Sequence, residues 1–229
     1  TAEHVDRRVR AWLEQFVVGL NVCPFARPMV SSEALRIVVC DATQYQDVAP
    51  TFMNELDLIQ RSSESMVATT LLAIPFALCD FEEYLDFIDD AESLLKKVGL
   101  NGVIQLASFH PDYQFEGEPM ESAGHYTNRA PFPLIHFLRE EMVTRALDQF
   151  PNPEQIPQHN IQTLEAMGVA QIEQMLKDLE SRHSDGSRKN SKEIKEALND
   201  SMQLSFFQLN DPVLEQIHEE LKNVDINGL

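Results

Sequence analysis

Residues 66–109, "MVATTLLAIPFALCDFEEYLDFIDDAESLLKKVGLNGVIQLASF", decide the fold. The opening "MVATTLLAIP" is a short apolar run closed by Pro75, and it reads as a buried strand. "DFEEYLDFIDDAESLLKKVG" then reads as a helix. Phe81, Tyr84, Leu85, Ile88, Ala91, Leu94, Leu95 and Val98 recur at helical spacing and make one apolar stripe. Asp80 stands where a cap is needed, with Glu83 at the capping-box position. Lys96 and Lys97 suit the negative end of the helix, and Gly99 ends it. "NGVIQLASF" is another strand. Strand, helix, strand implies layers joined by a crossover connection.

The same unit extends in both directions. Upstream, "EALRIVVCDA" is rich in β-branched residues and reads as a strand, and "DVAPTFMNELDLIQRSS" reads as the helix after it. Earlier still, Val5, Val9, Trp12, Phe16 and Leu20 fall near one face of a helix that should stop around Asn21, before Pro24. Downstream, "PFPLIHFLREEMVTRALDQF" reads as a helix with Leu134, Phe137, Leu138, Met142 and Leu147 inward. "NPEQIPQHNIQTLEAMGVAQIEQMLKDLE" opens on proline punctuation and becomes helical after about Gln158. The expected class is α/β: a layered sheet of at least three strands with crossover helices, followed by a helical C-terminal part.

Composition bounds what such a chain can do. Its 229 residues are 43% hydrophobic and 24% charged, which is globular, and enough to bury a core without disulfides or metals. The formal charge of −19 argues against direct nucleic-acid binding and against an anionic membrane surface, since both need a basic face. The start is a charged amphipathic stretch rather than a signal peptide, and no apolar run approaches a membrane span. Cys23, Cys40 and Cys79 are far apart with no CxxC pair, so a zinc ribbon or thioredoxin-type motif is absent. Reduced thiols in a cytoplasmic protein fit best. Cys40 and Cys79 end strand-like runs and read as core residues.

The acidity is not evenly spread. Residues 1–180 hold 12 Lys and Arg against 28 Asp and Glu, a net of −16, which leaves −3 for residues 181–229. "SRHSDGSRKNSKE", from Ser181, is polar and Ser-rich and reads as a linker. The expected division is an α/β domain over 1–180, a linker over 181–201 and a short segment over 202–229. In that last segment "DPVLEQIHEELKNV" reads as a short helix, with Asp211 expected as its cap and Pro212 in its first turn.

One irregular stretch concentrates polar and aromatic residues: "ASFHPDYQFEGEPMESAGHYTNRAPFP", residues 107–133. It follows a strand, and ligands of open α/β sheets bind beyond the carboxyl ends of strands. His110 and Asp112 therefore stand as candidate catalytic residues. Arg129 is the only Lys or Arg between Lys97 and Arg139. Its guanidinium is either a fork for a substrate carboxylate or phosphate, or one half of a salt bridge. Asn128, Tyr126 and His136 are candidate substrate-binding neighbours. His136, Arg139 and Glu140 would share one helical face, either lining the same cleft or solvated. His110, Asp112 and His125 could ligate a divalent metal, the alternative being hydrogen-bonded imidazoles in a polar loop. Cys23, just before Pro24, is either a nucleophile activated at a helix start or a buried thiol behind Pro24 and Phe25.

Two resemblances cover different parts. "VVGLNVCPFARP", "LASFHPDYQF", "HYTNRAPFPLIHFLRE" and "PEQIPQHNIQTLEAMG" resemble, in order, the bacterial family catalogued as domain of unknown function 1415, over residues 3–180. That resemblance implies one folding unit and no particular activity. "MQLSFFQLNDPVLEQIHEELKNVDINGL", residues 202–229, resembles the C-terminal tail of the mismatch-repair ATPase MutS. It implies self-association through 202–229. The ATPase itself is not implied, because GxxxxGK[ST] is absent. Three readings stay open: a small-molecule enzyme working through the 108–129 loop and Cys23, a non-catalytic binder of an anionic ligand, and an interaction protein defined by its tail.

Overall fold

The computed structural model describes residues 1–184, which belong to one compact unit, Thr1–Asp185. Residues 202–229 and most of the expected linker lie outside the described residues.

Four strands form one mixed sheet: β1 (Leu35–Val39), β2 (Thr69–Ala73), β3 (Ile104–Phe109) and β4 (Leu134–Arg139), in the order β1-β2-β4-β3. β1 and β2 are parallel, while β4 runs antiparallel to both β2 and β3. The helix between β1 and β2 is α3 (Tyr45–Arg61), and the one between β2 and β3 is α4 (Phe81–Lys97). The crossover units are thus present, and β4 fills the gap that the second one leaves.

Residues 134–139 were expected to be helical and are instead the strand β4. Leu134, Ile135 and Phe137 are all fully buried, because β4 is a central strand covered on both faces. Such a strand is a continuous apolar run, and periodicity alone does not separate it from a buried helix. The helix α5 (Glu140–Gln149) begins immediately afterwards.

Strand alternation divides the core in two. Leu72, Ile74, Ile135, Phe137 and Ile104 pack with Phe52 and Ile59 of α3 and with Tyr84, Phe87 and Ile88 of α4. Leu71, Ala73 and Leu134 point the other way. They pack with Val5 and Val9 of α1 (Ala2–Ala11), with Leu164 of α6 (Ile156–Met167) and with Ile172 of α7 (Val169–Ser184). Between α1 and α6 the chain also forms the short helix α2 (Ala26–Val30). The result is three layers with a sheet in the middle.

Local signals account for several boundaries. The Asp80 side chain accepts from Glu83 N at 3.0 Å and caps α4. The buried stripe of α4 ends at Leu95, since Val98 one turn later is 50% exposed. Gly168, at φ 81°, breaks the expected C-terminal helix into α6 and α7. α1 continues into a π-helical stretch, Trp12–Val18, and the chain turns out at Asn21, which is left-handed at φ 53°. Of the two cysteines expected in the core, Cys40 is buried and Cys79 is exposed, because Cys79 has already left β2 for the loop before α4.

Candidate functional site

The loop after β3 is anchored by two buried imidazoles. His110 donates from Nε2 to Leu78 O at 3.1 Å and accepts Asp112 N at Nδ1, also at 3.1 Å. Leu78 itself is held left-handed at φ 53°. The His110 ring packs against Phe81 and Tyr84 of α4, so it faces the α3/α4 layer. His125 repeats the device. Its Nε2 donates to Pro119 O at 2.8 Å and its Nδ1 accepts Phe115 N at 3.1 Å. Both residues are fully buried. Burial pushes the His110 pKa down, against smaller upward pulls from the Leu78 carbonyl and the carboxylates of Asp112 and Asp80.

Of the two readings of this loop, this geometry favours hydrogen-bonded imidazoles over metal ligation. All four ring nitrogens of His110 and His125 already hold backbone partners, and Asp112 is exposed. Among the described residues, no group of three or more His, Cys, Asp and Glu could hold a metal ion.

Cys23 is half-buried in a turn before α2, a helix of only five residues. Burial raises its thiol pKa and outweighs the backbone N–H groups of Phe25 and Ala26, which pull it down. Of the two readings of Cys23, the direction of this shift favours the buried thiol. Asn128 holds the loop to its strand: Nδ2 donates to Ser108 O at 3.0 Å, and its own carbonyl accepts His110 N at 3.1 Å. His136 lies on β4, not on a helix, and donates from Nε2 to Thr69 Oγ1 at 2.6 Å, since the Thr69 hydroxyl proton goes to Phe137 O. On a strand, His136 and Arg139 point to opposite faces. Arg139 binds the Ile59 and Ser62 carbonyls at the end of α3 and the Val67 carbonyl just before β2, instead of lining a cleft.

A cleft of about 370 Å³ does lie beyond the β3 end, on the α1/α7 side of the sheet. Tyr126 and Arg129 line it, together with Pro111, Ala130 and Pro131. His110, Asp112, Cys23 and Asn128 do not line it. Its other walls are Arg8 and Trp12 from the N-terminal helix, and Glu173, Leu176, Lys177, Leu179 and Glu180 from α7. A neighbouring recess of about 480 Å³ shares Tyr126, Arg129 and Glu173.

Arg129 is held without being neutralised. Its Nε donates to Tyr113 O at 3.1 Å, and its guanidinium lies over the Tyr126 ring, 4.5 Å from the centroid. Among the described residues, no carboxylate forms an ion pair with it. Tyr126 donates to Glu173 Oε1 at 3.2 Å, and burial is the main cause of its raised pKa. Arg8, by contrast, pairs with Glu180 and stacks on Phe132.

Trp12 adds a second unused donor. It is 2% exposed and set edge-on to Phe109 at 5.6 Å, yet its buried Nε1 has no hydrogen-bond partner among the described residues. Leaving such a donor unmatched costs about 1–3 kcal/mol. Trp12 also opens the π-helical stretch, a rare geometry frequently found at functional sites. In the sequence Trp12 falls on an apolar helical face, and no local pattern marks its polar atom. Arg8 and the α7 residues are far from the loop along the chain, so no local pattern ties them to it.

The fold and site define an α/β protein of three layers, with a charged and apolar cleft at the end of its sheet. The chain belongs to the family described as protein of unknown function (DUF1415), whose model matches residues 4–174. It is also similar to the DNA mismatch repair protein MutS of Flavobacterium johnsoniae, at 41% identity over 61 residues. The MutS proteins of Flavobacterium psychrophilum (44% over 61 residues) and Parabacteroides distasonis (46% over 63 residues) are similar to it in the same way. Each of these matches covers 27% of this chain and 7% of the MutS protein. No solved structure matches the chain. No helix among the described residues is long and apolar enough to cross a membrane.

Proposed function

We propose that residues 1–180 bind a small anionic molecule in the cleft between the 108–131 loop, α1 and α7. The observation that carries this reading is the Arg129 guanidinium: fixed by Tyr113 and Tyr126, facing a cleft, and paired with no carboxylate among the described residues. A preorganised guanidinium suits a carboxylate or phosphate, because its fork matches two oxygens at once. A cleft of this size falls within the usual range for small-molecule sites. The enzyme reading through His110 and Cys23 has less support, given two occupied ring nitrogens and a thiol pushed toward its neutral form.

The test uses Trp12, the single tryptophan of the chain and a wall of the cleft, as a built-in fluorophore. Titration with a panel of small carboxylates and phosphates should change its emission saturably for at least one of them. Arg129→Ala should weaken that binding by at least tenfold, with an unchanged melting temperature. Binding that survives Arg129→Ala unaltered would refute the reading.

A second reading is self-association through residues 202–229, which the resemblance of "MQLSFFQLNDPVLEQIHEELKNVDINGL" to the MutS tail implies and which lie outside the described residues.

A further inference from the structure

We infer that the ligand of this cleft is an amphipathic monocarboxylate: one carboxylate on an apolar or aromatic body, with an oxygen accepting the Trp12 Nε1 proton. This rests on the anion-binding reading and narrows it in charge, polarity and hydrogen bonding.

Charge sets the valence. The cleft walls carry three cations, Arg8, Arg129 and Lys177, and two carboxylates, Glu173 and Glu180. Arg8 is matched by Glu180, and Lys177 lies 3.7 Å from Glu173. One positive charge, on Arg129, is left over. A single carboxylate neutralises it. A phosphomonoester, near −2 at neutral pH, would leave a charge unmatched beside Glu173 and Glu180. The chain's net −19 also disfavours approach by polyanions.

The remaining walls set the body. Leu176, Leu179, Pro131, Ala130 and the Trp12 ring offer apolar surface and would exclude water from a hydrocarbon or aromatic group. Trp12 Nε1 supplies a donor that nothing in the described protein accepts. Trp12 lines the cleft, and an indole N–H donates and never accepts, so a ligand oxygen is the partner it would take. A small hydrophilic anion would satisfy Arg129 but waste the apolar walls.

Calorimetric titration of the full chain at pH 7.5 separates the possibilities. The probes are phenylacetate, cyclohexylacetate, the neutral phenylacetamide, phenyl phosphate and inorganic phosphate. Both carboxylates should bind, with the amide and phenyl phosphate each at least tenfold weaker. Trp12→Phe keeps an aromatic ring and removes the donor, so it should weaken carboxylate binding about fivefold with an unchanged circular dichroism spectrum. Phenyl phosphate or phosphate binding as tightly as the carboxylates would overturn the monocarboxylate inference and leave the anion reading standing. The amide binding as tightly as phenylacetate would overturn the anion reading itself. Absence of binding by either carboxylate, or unaltered affinity in Trp12→Phe, would also overturn the inference.

Discussion

At the scale of single residues, burial decides what each polar group does. Tyr84 is fully buried, donates to Leu134 O at 2.7 Å and accepts Phe109 N at 3.0 Å. One hydroxyl thus joins α4 to two strands, and burial raises its pKa. Tyr84→Phe keeps the ring but strands two backbone groups. It should cost about 1–3 kcal/mol, read by urea unfolding; a loss below about 0.5 kcal/mol would mean that water replaces the hydroxyl. His136 carries a pH dependence. Its surroundings push its pKa down from 6.5 to about 4, because the folded protein disfavours the imidazolium. The unfolded chain therefore takes up the proton first. Stability is complete above about pH 6.5 and falls as the pH drops toward 4. His110, shifted the same way by burial, adds to the trend. The melting temperature should fall between pH 7 and 5, before most carboxylates titrate, and His136→Gln should fall less. Equal slopes in the two proteins would exclude His136 as a cause.

At the scale of elements, β4 does the joining. It completes the sheet between β2 and β3, and its last residue, Arg139, reaches the end of α3. Arg139 donates to the Ile59, Ser62 and Val67 carbonyls at 2.7–3.0 Å, two of which are carbonyls that a helix end leaves unmatched. Lys cannot reproduce this fork. Arg139→Lys should cost about 1–3 kcal/mol, and amide exchange should rise at the last turn of α3 ahead of the rest of the helix. Uniform exchange along α3 would contradict the capping role. The π-helical stretch ends beside Gly19, where an added Cβ would run into the Gln15 carbonyl. Gly→Ala usually stabilises a helix, but Gly19→Ala should destabilise the protein by about 1–3 kcal/mol, seen as a lower midpoint in urea. A raised midpoint would show that the stretch relaxes to an ordinary helix.

At the scale of the molecule, the described core belongs wholly to the unit Thr1–Asp185, with apolar layers on both faces of the sheet. We expect residues 186–229 to be dispensable for folding. A chain ending after Asp185 should keep its melting temperature within about 2 °C and its affinity at the cleft, since the composition changes at Ser181 and the described core is complete within residues 1–184. If residues 202–229 self-associate, as proposed, light scattering should show the truncated chain at a lower mass than the full one. A truncated chain that fails to fold would move the domain boundary.

Residues 66–109 determined the crossover unit unaided, because helix period, capping Asp80 and terminal Gly99 are local and agree with one another. The loop after β3 was also legible, as a dense cluster of polar and aromatic residues following a strand. The sequence could not say which side of the sheet each side chain would take. His110 and Arg129 are 19 positions apart in one loop, yet His110 packs on α4 while Arg129 lines a cleft with α1 and α7. β4 escaped detection for a related reason. A strand buried on both faces loses the alternation that would mark it, and only pairing with β2 and β3 identifies it. Arg8 and Glu180 pair across 172 residues of chain, and contacts between such distant segments leave no periodic trace. Local patterns set the elements, whereas packing chose the partners of each polar group and so the place of the cleft.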